Sequence, residues 1–131
     1  MPPAFTHLLA DFAGVPAAQL TDRALVGGLI VAAAGAAGLS AIAGTGTPVL
    51  RTLPSGGIAA ALLLGSCHII VHTRPEDGVL LLDVLAPQAG DPRKAADVFA
   101  RRLSARAVRT AEHGRGDSGR GDSGRGDAAR G

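Results

Sequence analysis

Two turn-forming groups, Leu53-Pro54-Ser55-Gly56-Gly57 and Arg74-Pro75-Glu76-Asp77-Gly78, divide a strongly apolar middle region into runs around 39–50, 58–73 and 79–86. Proline and glycine clusters between apolar runs mark reversals of the chain, so the spacing predicts a meander of strands. The stretch from His7 to Phe12 is short, mostly apolar and followed by Ala13-Gly14-Val15-Pro16, which suits an opening strand closed by a turn. A further short strand is expected over 105–110.

Two helices interrupt this pattern. Thr21 and Asp22 offer N-cap oxygens to a segment of good helix formers over 24–37, and Gly38 is placed to close it in the left-handed conformation. The second helix is the better marked. Asp91 is its N-cap, Pro92 takes the first helical position, and Ala95, Ala96, Phe99 and Leu103 recur along one face, with Arg and Lys on the other. Two helices among about six strands of mostly hairpin connectivity predict an α+β two-layer sandwich, with both helices on one face of a largely antiparallel sheet. The opposite face then needs cover, and a homodimer is the simplest cover.

Ala24 to Leu50 carries no charge and is long enough to cross a bilayer. It is Ala/Gly-rich, is broken by Gly38, Gly44, Gly46 and Pro48, and has no aromatic belt, so a buried helix followed by a buried strand is the expectation, with no membrane partner. The formal net charge is +2, and no basic cluster is interleaved with aromatic residues, which argues against nucleic acid. The start lacks the basic and apolar regions of a secretory signal, and a single cysteine allows no intrachain disulfide, so a cytoplasmic location is expected.

From Gly114 the chain repeats Gly-Arg-Gly-Asp-Ser. Alternating Arg and Asp on a Gly/Ser backbone buries too little apolar area to offset ordering entropy. The organisation expected is one folded domain over 1–113 and a disordered tail over 114–131. The Arg-Gly-Asp tripeptides resemble an integrin-recognition motif, a signal that arises readily by chance in such a repeat.

Chemistry concentrates in Leu62 to Pro87, LLLGSCHIIVHTRPEDGVLLLDVLAP, where the sole cysteine and two of the four histidines lie in an apolar strand pair. Buried polar groups are costly unless paired or used. The plain reading is that Cys67 is a small core hydrophobe and the histidines sit at strand ends. His68 and His72, four apart, would lie about 13 Å apart on a strand at about 3.3 Å per residue, too far to share a metal ion. No Gly-x-Ser-x-Gly elbow occurs.

The arrangement His68-x-x-x-His72-Thr73-x-Pro75-Glu76-x-Gly78, followed by Asp83-Val84, resembles the pattern of the prokaryotic S-adenosylmethionine decarboxylase proenzymes, Glu-Ser-His-x-x-x-His-Thr-Trp-Pro-Glu-x-Gly leading into Asp-Val. His7-Leu8-Leu9-Ala10-Asp11-Phe12 is similar to that family's opening strand, and Pro54 with Gly56 or Gly57 to its Pro-x-Gly-Val-Ser-Gly turn. The resemblance implies a self-cleaving protein whose cofactor is a pyruvoyl group made from its own chain. That group acts as an electron sink for decarboxylation of S-adenosylmethionine or a related amino acid, in the supply of polyamines such as spermidine. Carried over by position, the processing residue and pyruvoyl source is Cys67, the scissile bond is Ser66 to Cys67, His72 serves self-cleavage, and Glu76 binds the ribose hydroxyls. Sites at a dimer interface are also implied. Cys67 and His72 face opposite ways in a regular strand, so a bulge or break beside Cys67 is expected. The sequence departs from the family at Ser66, which replaces a glutamate, at Ile58 or Ala59, which replaces a serine, at Pro87, which replaces a catalytic cysteine, and at Thr52 and Arg74, which replace aromatic residues. The alternative is therefore a non-processing, catalytically inactive homologue with a binding or regulatory role.

Overall fold

The computed structural model describes residues 3–116. In chain order its elements are β1 (Phe5–Ala13), α1 (Ala17–Leu20), α2 (Arg23–Ala36), α3 (Leu39–Ala43), β2 (Val49–Thr52), β3 (Ile58–Leu64), β4 (Cys67–Arg74), β5 (Val79–Pro87), α4 (Pro92–Arg102) and β6 (Ala107–Arg115). The six strands form one sheet in the order β2-β3-β4-β5-β1-β6, and every neighbouring pair is antiparallel. The α+β architecture expected from the sequence is thus the one found.

The two long helices begin where side-chain oxygens can satisfy the free amides of a first turn. Asp22 accepts from the Leu25 amide at 3.0 Å, and Asp91 accepts from the Arg93 amide at 3.1 Å, with Pro92 at the start of α4. Gly38, at φ 78°, turns the chain after α2. The Asp91 amide donates to the Ala37 carbonyl at 2.9 Å and so pins the start of α4 to the end of α2.

Both helices lie on one face of the sheet. Alternate residues of each inner strand point at them: Leu8, Ala10 and Phe12 from β1, Ile58, Ala60, Leu62 and Leu64 from β3, Cys67, Ile69 and Val71 from β4, and Leu80, Leu82, Val84 and Ala86 from β5 are all buried. Phe12 and Phe99, with ring centroids 6.2 Å apart, join sheet to helix layer. Among the described residues no layer covers the other sheet face. Leu63 there is 72% exposed and Val49 73%.

Three details differ from the sequence reading. The run over 39–50 is a short helix, a loop and only the four-residue strand β2, because Gly44, at φ 87°, breaks it and Gly46 lies against Leu62 and Leu64 where a Cβ would be crowded. The run over 58–73 is two strands, folded at Gly65-Ser66, where Gly65 has φ 57°. Gly-Ser is a recognisable hairpin dipeptide, so that signal was present in the sequence. The last strand extends to Arg115 rather than stopping at Thr110, because β1 supplies nine partners, from Ala13 opposite Ala107 to Phe5 opposite Arg115. Residues 117–131, which carry most of the Gly-Arg-Gly-Asp-Ser repeat, lie outside the described residues. Among the described residues no helix is long and apolar enough to cross a membrane.

Candidate active site

Strand β4 carries the residues singled out by their chemistry, and its two ends differ. Cys67 is the first residue of the strand, opposite Leu64 across the two-residue Gly65-Ser66 turn. Its side chain faces the helix layer and is 3% exposed. The thiol donates to the Leu64 carbonyl at 2.9 Å. Burial pushes its pKa up, opposed in part by a backbone hydrogen bond. Ser66 is exposed, and the Ser66–Cys67 bond therefore belongs to the turn.

His72 lies five residues on, about 16 Å along a strand that rises about 3.3 Å per residue. It is exposed and faces the open side of the sheet, with Ala59 opposite it on one side and Leu81 on the other. The ladder is continuous from Leu64–Cys67 to Ala59–His72 and from His68–Leu85 to Arg74–Val79, so no bulge brings the two side chains together within one chain. The expected break beside Cys67 is a tight turn instead.

Beyond His72 the strand is tied down by Thr73, the one polar residue buried among the described residues. Its hydroxyl donates to the Leu20 carbonyl at 2.7 Å and accepts from the Ile58 amide at 2.8 Å. The loop before β3 closes on the same point. Leu53 donates to the Gly57 carbonyl at 2.8 Å, and a Cβ on Gly57 would meet the Thr73 carbonyl oxygen at 2.7 Å, so only glycine fits. The two turn groups read from the sequence are one packed unit. Thr73 was missed as a structural key because a threonine in a strand has no distinctive sequence signal.

Glu76 occupies the β4–β5 turn. Arg74, where the resemblance puts an aromatic residue, reaches Glu76 at 3.4 Å and donates to Asp77 at 2.6 Å. The Asp77 hydrogen bond, then its charge and that of Glu76, hold the guanidinium above its usual pKa. Of the other departures, Thr52 accepts from the Arg23 guanidinium at 2.9 Å, Ile58 is buried beneath the helices, and Pro87 ends β5 opposite Phe5.

The open face also gathers a group that no local motif announces. Cross-strand register sets His68, Leu85, His7 and His113 in one row. The His7 and His68 rings meet edge to face at 6.4 Å. His7 Nε2 is buried without a hydrogen bond, 3.8 Å from Asp83, and Nδ1 lies 3.3 Å from Arg115. Burial lowers the His68 pKa, helped by the charges of His7 and Arg115 and opposed by Asp83. No set of three or more His, Cys, Asp or Glu with metal-binding geometry occurs among the described residues.

A helix-backed antiparallel sheet of this kind is an arrangement shared with a known protein structure. The family model described as S-adenosylmethionine decarboxylase matches residues 6–116. An S-adenosylmethionine decarboxylase proenzyme of Thermoplasma volcanium is 31% identical over 114 residues, covering 85% of this chain and 83% of that protein. That of Thermoplasma acidophilum is 30% identical over 114 residues, covering 85% and 82%. The crystal structure of the adenosylmethionine decarboxylase from Aquifex aeolicus superposes with a TM-score of 0.75 at 27% identity, over 88% of this chain and 93% of that one. The chain belongs to the S-adenosylmethionine decarboxylase family.

Proposed function

We propose that this protein is a self-processing, pyruvoyl-dependent decarboxylase of S-adenosylmethionine or a related amino acid, acting in the cytoplasm in the supply of decarboxylated S-adenosylmethionine for spermidine synthesis. The observation that carries the reading is that the Ser66–Cys67 bond lies in a two-residue turn. A cut there leaves β3 and β4 whole, and the six residue pairs from Leu64–Cys67 to Ala59–His72 still hold the two products together. A cut inside a strand would break the ladder instead.

The thiol fits the first step. Cys67 Sγ attacks the Ser66 carbonyl carbon, the amide C–N bond breaks, and the proton passes to the Cys67 nitrogen, giving a thioester. Loss of the Cys67 Cα proton then breaks the Cβ–S bond and expels Ser66 as a thiocarboxylate. Water hydrolyses the remaining enamine, releasing ammonia and leaving the pyruvoyl group at position 67. Once formed, that group supplies an electron sink for the pair released with carbon dioxide.

His72 is the base proposed for self-cleavage and Glu76 the acceptor for ribose hydroxyls. Neither reaches its own chain's Cys67, because they lie at the far end of β4 and His72 faces the other way. In the proposed homodimer a second copy lies against the open face with its strands reversed, so that His72 and Glu76 of one chain approach the exposed Gly65-Ser66 turn of the other, while the Cys67 thiol itself faces the helix layer. The homodimer is therefore part of the proposal, and the exposed apolar side chains of that face, among them Leu63 and Leu81, support it.

A second reading, a homologue that does not process and serves in binding or regulation, is favoured by the burial of Cys67. A thiol held protonated by desolvation is a weak nucleophile. Intact mass of the denatured protein, with a carbonyl-reactive label, decides between them. Two chains divided between Ser66 and Cys67, the second blocked and carbonyl-positive, are expected. One uncut chain that survives long incubation would overturn the decarboxylase reading in favour of the second.

A further inference from the structure

The open face of the sheet carries four arginines, from Arg51 on β2, Arg74 on β4, and Arg109 and Arg115 on β6. Three are engaged: Arg74 with Glu76 and Asp77, Arg109 with Asp11 at 3.3 Å, and Arg115 with His7. Arg51 has no acid within ion-pair distance among the described residues. It stands at one end of a row completed by Ala59 and His72. Two strand spacings put the Arg51 and His72 backbones about 10 Å apart, and the methyl of Ala59 between them leaves the space above it open. The next row repeats the arrangement with Val49, Ala61 and Ile70. The outcome is a trough of about 200 Å³ with an alanine floor and apolar walls, lined at one end by Arg51 and His72 on its two sides.

We infer that this trough is a subsite for a small aliphatic carboxylate, with Arg51 as its anchor and His72 as a second donor. Guanidinium is planar and offers paired N–H donors that match a carboxylate, and Arg51 is exposed and accessible to one. The acids that would compete are occupied. Glu76 and Asp77 at the end of β4 are paired with Arg74, and Asp83, beyond Ile70 on the same face, lies against His7. A cationic ligand finds no unpaired acid here. The trough is too small for a whole nucleoside-bearing molecule and takes an amino-acid-sized end. The carboxylate has two possible sources, the amino-acid end of a decarboxylase substrate held between this trough and position 67 of a second copy, since position 67 of the same chain is on the other side of the sheet, or a separate carboxylic acid. Only the first source rests on the decarboxylase reading.

The test is an NMR titration of the full, isotope-labelled chain with butyrate, with n-butylammonium and with S-adenosylmethionine, on the natural sequence and on Arg51→Gln and Arg109→Gln. Butyrate is expected to give saturable shifts at Ala59, Ala61 and Ile70, to bind at least tenfold more weakly to Arg51→Gln, and to bind Arg109→Gln unchanged. Competition between S-adenosylmethionine and butyrate, with both weakened by Arg51→Gln, identifies the substrate as the source. Loss of butyrate binding alone identifies a separate acid. Absence of saturable shifts, equal binding of butylammonium, or an Arg51→Gln protein that binds butyrate as before would overturn the inference. Because the readout is binding, an uncut chain that still binds butyrate through Arg51 would sink the decarboxylase reading and leave the subsite standing.

Discussion

The two ends of β4 are built by opposite means. At the Cys67 end a thiol is buried among hydrophobes and held by one hydrogen bond to the Leu64 carbonyl, beside the exposed Gly65-Ser66 turn. At the Thr73 end the groups proposed for chemistry, His72 and Glu76, are exposed, and the burial has gone into a hydroxyl that fastens three segments of chain. One end hides its chemistry and leaves its backbone simple, while the other displays its chemistry on a rigid mount. A single strand thus separates the Ser66–Cys67 bond from His72 and Glu76, the groups proposed to act on it.

Each of these contrasts can be broken experimentally. The largest effect is expected from Cys67→Ala, which should abolish division of the chain at position 67 while costing about 1 kcal/mol of stability. Cys67→Ser should still divide, and faster, since it places a hydroxyl and an oxygen ester on the same route. If both variants behave like the natural chain by intact mass, the Cys67 end has no chemical role. Thr73→Val comes next. It strands the Ile58 amide and the Leu20 carbonyl, each buried partner costing about 1–3 kcal/mol, whereas Thr73→Ser should recover most of the loss. Urea midpoints for the pair check this, and a Thr73→Val protein as stable as the original would remove the rigid mount.

A smaller effect concerns pH. The folded-state pKa of His68 is lowered, chiefly by burial, so between that value and its unfolded value the unfolded chain binds more protons. The contribution of neutral His68 is complete above the unfolded pKa, about 6.5, and is lost as pH falls below it, levelling off once pH drops beneath the folded value. Unfolding free energy should therefore fall between neutral and mildly acidic pH, and His68→Gln should flatten the profile. An unchanged slope would show that the His7–His68 contact is not felt by the fold. The smallest stability effect is expected for Glu76→Gln. Its pair with Arg74 is exposed and screened by solvent, so the thermal midpoint should scarcely move, while nucleoside binding should weaken at least tenfold; unchanged nucleoside binding would remove Glu76 from the site.

Much of this was legible in advance. Asp22, Asp91, Pro92 and Gly38 announce helix ends because capping is local chemistry, written within three or four residues. The turn groups at 53–57 and 74–78 announce reversals for the same reason, and the His-Thr-x-Pro-Glu pattern carries the family resemblance because it is contiguous. Gly65-Ser66 is an equally local signal, but the apolar run that continues on both sides of it masks the turn.

What lay beyond the sequence depends on pairing between distant segments. Only the cross-strand register decides that His7, His68 and His113 share a row, that Arg51 and His72 flank Ala59, and that Thr73 meets Leu20 and Ile58. A shift of one residue in any ladder would reverse the face of every side chain on that strand. Local propensity thus determined where the two long helices begin and where the turns at 53–57 and 74–78 fall. The tertiary structure alone decided that Cys67 faces the helices and His72 the open side, because that outcome rests on the burial of alternate residues against a layer formed by sequence-distant helices.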